Sequence, residues 1–247
     1  MNQTQQPNRK VIVLTGASSG IGEATARQLA AEGHLLVIGS RRTDRLEALC
    51  DELRFDGATI DALQTDVQDR ASVQRLADFA LEKHGRIDVL INNAGVMPLS
   101  PLSSLKVEEW DLMLDVNVRG VLYGIAAVLP VMEKQKAGHI INVASIGAHA
   151  VSPTAAVYCA SKYAVWAISE GLRQETDVIR VSVISPGVVE SELADIISDD
   201  TAREAMRDFR RIALKPESIA RAMSYAISQP DDVDVSEIIV RPVASPH

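Results

Sequence analysis

From residue 10 onward, short β-branched runs alternate with helical periods, and this alternation narrows the possible folds more than any other feature of the chain. Strands are expected at 10–15, 35–39, 59–64, 89–92, 139–145, 180–185 and 236–241. Between them lie helical stretches at 23–32, 44–55, 71–84, 106–136, 155–177 and 216–228. Leu46, Leu49 and Leu53 show the spacing of a helix with one buried face. Strand and helix in strict succession predict a parallel sheet with helices on both faces. Right-handed crossovers then give an α/β, doubly wound, Rossmann-like sheet. No repeat, linker or low-complexity block interrupts the pattern, so one domain spanning 10–247 is expected. A flexible polar tail is expected at 1–9 and a helical flap over the substrate at about 188–211.

Size and composition fit that fold. The chain has 247 residues, of which 47% are apolar, enough for a large core. The apolar residues are mostly aliphatic, as buried parallel strands require. A net charge of −8 with no long basic run argues against binding to nucleic acid. The longest uninterrupted apolar stretch, 121–132, is too short to span a bilayer and contains Pro130. No signal peptide is visible. The two cysteines, Cys50 and Cys159, show no paired or zinc-binding spacing and fit a reducing cytoplasm. The histidines lack metal-ligand spacing, so no metal is expected.

The first strand runs into Thr15-Gly16-Ala17-Ser18-Ser19-Gly20-Ile21-Gly22 and then a helix. Glycines there let the backbone approach a pyrophosphate, and the helix N-terminus favours its charge. At the end of the second strand stand Ser40, Arg41 and Arg42, with no acidic residue. An acidic residue would bind the ribose hydroxyls of NAD, whereas arginine accepts a 2′-phosphate, so NADP(H) is the expected cofactor. Arg41 is expected as the main contact, with Ser40 and Arg42 assisting. Asp66-Val67 and Asn93-Ala94-Gly95 follow the third and fourth strands, at the strand ends where ligands bind. Asp66 is suited either to an adenine amine or to a loop cap.

Tyr158 and Lys162 stand four apart, on one helix face, with Ser145 thirteen residues before the tyrosine. An ammonium beside a phenol is expected to lower the phenol pKa toward working pH, making Tyr158 a proton donor and acceptor. The Ser145 hydroxyl is placed to hold a substrate oxygen.

Together these residues resemble the short-chain dehydrogenase/reductase family in its compact single-domain, NADP-preferring branch. The matching elements are T-G-A-S-S-G-I-G at 15–22, D-V at 66–67, N-N-A-G at 92–95, Asn117 within D-V-N-V-R-G, Ser145, Y-C-A-S-K at 158–162 and P-G at 186–187. The resemblance implies hydride transfer between a nicotinamide and a carbonyl or alcohol. It implies Tyr158 as general acid/base, Lys162 on the nicotinamide ribose, Ser145 on the substrate oxygen and Asn117 holding a water that links Lys162 to solvent. It also puts Asn93, Pro186, Gly187, Val188 and Val189 along the cofactor. Ser191 stands where the family often has threonine, and keeps the hydroxyl. Met97, Ile146, Ala148, His149, Val151 and Leu193 are candidates for the substrate pocket, with Val188; His149 is also readable as structural. Two other readings use the same residues: an NADP-binding sensor without turnover, and dehydratase or epimerase chemistry. The family further implies a homotetramer, with a dimer next.

Overall fold

The structure, a computed structural model, describes residues 9–245. Seven strands form one sheet in the order β3-β2-β1-β4-β5-β6-β7, and every neighbouring pair is parallel. They are β1 (Val11–Thr15), β2 (Leu35–Ser40), β3 (Thr59–Gln64), β4 (Val89–Asn92), β5 (Gly138–Val143), β6 (Ile179–Pro186) and β7 (Glu237–Val240). The helices are α1 (Gly20–Ala31), α2 (Thr43–Phe55), α3 (Arg70–His84), α4 (Val107–Leu114), α5 (Gly120–Gln135), α6 (Ala156–Glu175), α7 (Asp200–Phe209) and α8 (Glu217–Ser228).

The strands point side chains alternately to two faces, and the core divides accordingly. Val13, Val37, Leu90 and Ile140 face α3, α5 and α6. Ile12, Leu14, Leu36, Ile38, Ile91 and Ile141 face α1, α2 and α8. Both faces are covered, which is why the strands read as nearly unbroken apolar runs. Where polar side chains enter the core, they bond one another. Asn92 Nδ2 donates to Asn142 Oδ1 at 2.9 Å, and Asn142 Nδ2 donates to Ser169 Oγ at 2.8 Å, tying β4 to β5 and α6.

Every expected strand is present, with ends shifted by two residues at most. The helix expected over 106–136, with Gly120 and Gly124 as its candidate break points, is α4 and α5 joined by a π turn, Asp115–Arg119, that ends against Gly120. This 29-residue run is long and apolar enough to cross a membrane by length and composition, but half of its apolar window is buried inside the protein. The stretch expected as a flap resolves into a 3-10 turn at Glu192–Ala194, α7 and a second 3-10 turn at Arg210–Ile212. Its base is fixed by a bridge between Val189 and Leu214. The expected N-terminal tail lies outside the described residues except for Arg9, whose guanidinium donates to Gly33 O and Thr59 Oγ1.

Sheet order reverses between β1 and β4. Crevices for ligands form at such a point, beyond the carboxyl ends of the strands.

Candidate active site

A cavity of about 1120 Å³ opens along that edge, from the β1–α1 loop to α7. Its floor is set by close backbone packing. Gly16 has φ +69°, and a Cβ there would lie 2.7 Å from Ala94 Cα. A Cβ on Gly22 would lie 2.2 Å from Gly16 O. Neither position admits a side chain without moving backbone. Asn93 fastens the loop to β4: its Nδ2 donates to Thr15 O at 3.0 Å and Gly16 O at 3.1 Å. Ser19, the residue capping α1, contributes no side-chain cap, so the first-turn N–H groups of α1 are available to an anion.

The end of β2 closes one side of the cavity. Arg42 donates from Nε to Ser18 Oγ at 3.0 Å and from Nη2 to Ser19 Oγ at 2.6 Å. Ser40 Oγ accepts the Arg42 N–H at 3.2 Å. Arg41 also lines the cavity but is exposed beside it, so Arg42 rather than Arg41 is the arginine drawn over the glycine loop. Two residues overlooked in the sequence join this group. Glu192 accepts from Arg42 Nη1 at 2.6 Å and from Arg45 Nη1 at 2.7 Å. Arg45 was legible as a second arginine one helical turn after Arg42; nothing in the sequence announces Glu192. Asp66 Oδ1 accepts the Gln68 N–H at 3.0 Å, a loop-cap bond, while the residue also lines the cavity with Val67.

Ser145, Tyr158 and Lys162 line the same cavity, the Ser145 hydroxyl bonding the Tyr158 phenol. Ser145 follows β5 and caps a short 3-10 turn, Ile146–Ala148, accepting the Gly147 N–H at 3.0 Å. Tyr158 and Lys162 sit in the first two turns of α6. Lys162 is 5% exposed, its Nζ donates to Val143 O at 2.9 Å, and it lies 5.8 Å from the centre of the Tyr158 ring. Asn117, in the π turn, is buried with both ends of its amide in use. Its Oδ1 accepts the Val96 N–H at 2.8 Å, and its Nδ2 donates to Val96 O and Ser161 Oγ at 3.0 Å each. A Cβ on Gly95 would fall 3.4 Å from Asn117 Oδ1 and 3.6 Å from Lys162 Nζ, so the amide and the ammonium flank the same glycine.

The electrostatics correct one expectation. Burial pushes the Tyr158 phenol up to about 12, and the Ser145 hydroxyl offsets only part of this. Burial pushes Lys162 down to about 8. The spacing leads one to expect a lowered phenol; burial raises it instead, because loss of water disfavours the charged phenolate. Both shifts favour the neutral form, so the phenol holds its proton, while an ammonium titrating at about 8 stays mostly charged at pH 7.

On the substrate side, Met97, Ile146, Val151, Val188 and Leu193 line the wall. Ala148 does not: it is 2% exposed and packs into the core behind it. His149 lines the rim, with its Nε2 2.7 Å from Glu237 Oε1 and 3.4 Å from Ser185 Oγ. Leu99, Met206 and Phe209 complete the apolar wall, the last two from α7. Their spacing with Ala202, at i, i+4 and i+7, was a legible sign of one inward face. Gly187 N donates to Val240 O at 2.8 Å, and Ser191 Oγ accepts the Leu193 N–H at 3.3 Å, which holds 186–191 above the glycine loop. Pro186, Gly187, Val189 and Ser191 all line the cavity. Among the described residues, no group of three His, Cys, Asp or Glu is placed to hold a metal ion. Burial raises both thiols, that of Cys50 to about 11.

A cradle that any Cβ would fill, an uncapped helix N-terminus and cations at the end of β2 fit a dinucleotide. The comparisons agree. The family model for short chain dehydrogenases matches residues 10–202. An uncharacterised oxidoreductase of Staphylococcus saprophyticus is 52% identical over 237 residues, covering 94% of this chain and 96% of its own length. The crystal structure of an alcohol dehydrogenase from the archaeon Thermococcus sibiricus, complexed with 5-hydroxy-NADP, superposes with a TM-score of 0.88 at 31% identity, covering 97% of this chain and 99% of the other. A short-chain dehydrogenase/reductase from Burkholderia phymatum, in complex with NAD, gives 0.86 at 31% identity, covering 95% and 89%.

Proposed function

The chain belongs to the short-chain dehydrogenase/reductase family and is an oxidoreductase, and on that footing we propose that it transfers hydride between NADP(H) and a carbonyl or alcohol, with Tyr158 moving the proton. The observation that carries this reading is the convergence of Ser145, Tyr158 and buried Lys162 in the same cavity as the glycine cradle. The bound nicotinamide supplies the hydride, and the protein supplies position and electrostatics.

Gly16, Gly20, Ile21 and Gly22 form the pyrophosphate floor. Ser18, Ser19, Ser40, Arg41 and Arg42 take the 2′-phosphate, with Arg42 as its central donor. Asp66 and Val67 border the adenine. Asn93, Ala94 and Gly95, with Lys162 Nζ, hold the nicotinamide ribose. Pro186, Gly187, Val188, Val189 and Ser191 cover the nicotinamide end. A phenol held near 12 is fully protonated at neutral pH, which suits proton donation in the reducing direction. Ser145 and Tyr158 are two preplaced donors for an oxygen gaining negative charge. Charged Lys162 would draw the phenol toward ionisation in the oxidising direction. Both Asn117 Nδ2 hydrogens are engaged, so a relay water at this residue would have to donate to an Asn117 oxygen. The apolar wall suits a neutral or bulky carbonyl compound.

The test is a reduced-cofactor consumption screen over aldehydes, ketones, keto esters and diketones, with NADPH and NADH in parallel. Tyr158→Phe keeps the ring and removes the proton. It is expected to lower kcat by roughly a hundred- to ten-thousand-fold while NADPH still binds, followed by its fluorescence. Full turnover in that variant would remove Tyr158 from the proton step. Binding without oxidation of NADPH by any compound in the screen would favour a sensor, and turnover without net oxidation a dehydratase or epimerase.

A further inference from the structure

The ion cluster at the end of β2 holds an anion of the protein's own. Arg42 reaches Ser18 and Ser19 on the glycine loop and spends its remaining terminal nitrogen on Glu192. Arg45, one turn along α2, bonds the second oxygen of the same carboxylate. Glu192 is 150 residues from Arg42 and belongs to the 3-10 turn that opens the segment over the substrate cavity. The turn has few other polar ties. Arg210 donates to Ser191 O, and Asp195 lies 3.6 Å from the same guanidinium. Hydrogen bonds from Arg42 and then Arg45 hold the Glu192 carboxyl at about 2, so it is ionised at any working pH.

We propose that Glu192 is a specificity-determining residue that occupies, on Arg42 and Arg45, the position of a 2′-phosphate, so that a 2′-phosphorylated dinucleotide must displace it and in doing so frees the 192–194 turn from the cofactor loop. This deepens the NADP(H) reading and rests on it. It adds Arg45 to the phosphate-binding set and couples cofactor type to the wall of the substrate cavity. The exchange is energetically open. Both partners are about half exposed, and water screens exposed carboxylate–guanidinium pairs so that each is held only weakly. A phosphate brings more charge and more acceptor oxygens to the same guanidinium fork. NAD(H) lacks that group and leaves Glu192 in place.

The proposal is tested with the full chain by isothermal titration of NADPH and NADH into wild type, Glu192→Gln and Glu192→Ala at low ionic strength, where exposed charges are least screened. Removing the carboxylate is expected to tighten NADPH by roughly two- to fivefold and to leave NADH nearly unchanged. Hydrogen exchange supplies an independent readout. Adenosine 2′,5′-bisphosphate, which carries no nicotinamide, should speed exchange at the 193–197 amides of wild type, and free Glu192→Gln should already exchange at that faster rate. Weaker NADPH binding in both variants would make the bridge a strap over the cofactor and overturn the proposal. Equal tightening of NADH, or unchanged exchange over 193–197, would overturn it as well. If wild type binds NADH as tightly as NADPH, the 2′-phosphate reading itself has failed; if wild type prefers NADPH and the variants do not differ from it, only the role of Glu192 has.

Discussion

Lys162 shows how a single buried group can shape the stability of the whole chain. Its ammonium titrates at about 8 in the folded protein against an ordinary 10.5. Between those values the unfolded chain holds a proton that the folded chain has released, so stability rises with pH across that window. Tyr158 works in the opposite sense. Its phenol keeps its proton to about 12 when folded and loses it near 10 when unfolded, so stability falls from pH 10 to 12. Urea unfolding of wild type at several pH values should show the first rise, of roughly 3 kcal/mol at the ~1.4 kcal/mol that each tenfold of proton affinity represents. Lys162→Met should flatten it, and a variant with the wild-type slope would show that another group titrates there. At this scale the chemistry-bearing residues were legible because their spacing is local: Tyr158 and Lys162 share a helix face, and Arg42 stands between the end of β2 and the start of α2. The direction of the pKa shifts was not, because it depends on burial that α6 acquires only when it packs on β5. The bond from Arg42 to Glu192 was equally hidden, since it joins residues 150 positions apart.

The strands were legible as short, nearly continuous β-branched runs, as burial on both faces requires, and the flanking helices by their 3.6-residue period. The π turn at Asp115–Arg119 was not, since nothing in D-V-N-V-R distinguishes a widened turn from an α-helical one. It earns its place by bringing Asn117 against Val96 and Ser161. Glycines inside helices separate two physical roles. In α5 a Cβ on Gly124 would lie 2.1 Å from Asn92 Oδ1, within the amide chain that joins β4, β5 and α6. Gly124→Ala is expected to cost about 1–3 kcal/mol by overpacking, despite alanine's better helix propensity. In α6 nothing lies within 4 Å of a Cβ on Gly171, so Gly171→Ala should gain up to about 1 kcal/mol. Denaturant midpoints of the two variants on opposite sides of wild type would bear this out; a shift in the same direction would sink it.

For the molecule as a whole, α4, α5 and α6 leave apolar side chains uncovered: Leu114, Leu122, Tyr163 and Trp166 are among the exposed large residues. We propose that these helices pair copies of the chain into a homotetramer, with a dimer as the next state, in keeping with closed symmetric assembly. Light scattering is expected to give four chain masses, and Leu114→Arg with Leu122→Arg to give a smaller species that keeps its far-ultraviolet spectrum. A wild-type monomer at micromolar concentration would end that proposal. The sheet order also has a practical side. All seven strands run the same way, so the chain enters the sheet at one rim with Val11 and leaves at the other with Val240, next to Arg241 in the cavity wall. A fusion partner or surface anchor joined ahead of Val11 therefore hangs from the rim remote from the chemistry. One joined behind Arg241 starts beside the doorway through which any reactant must pass.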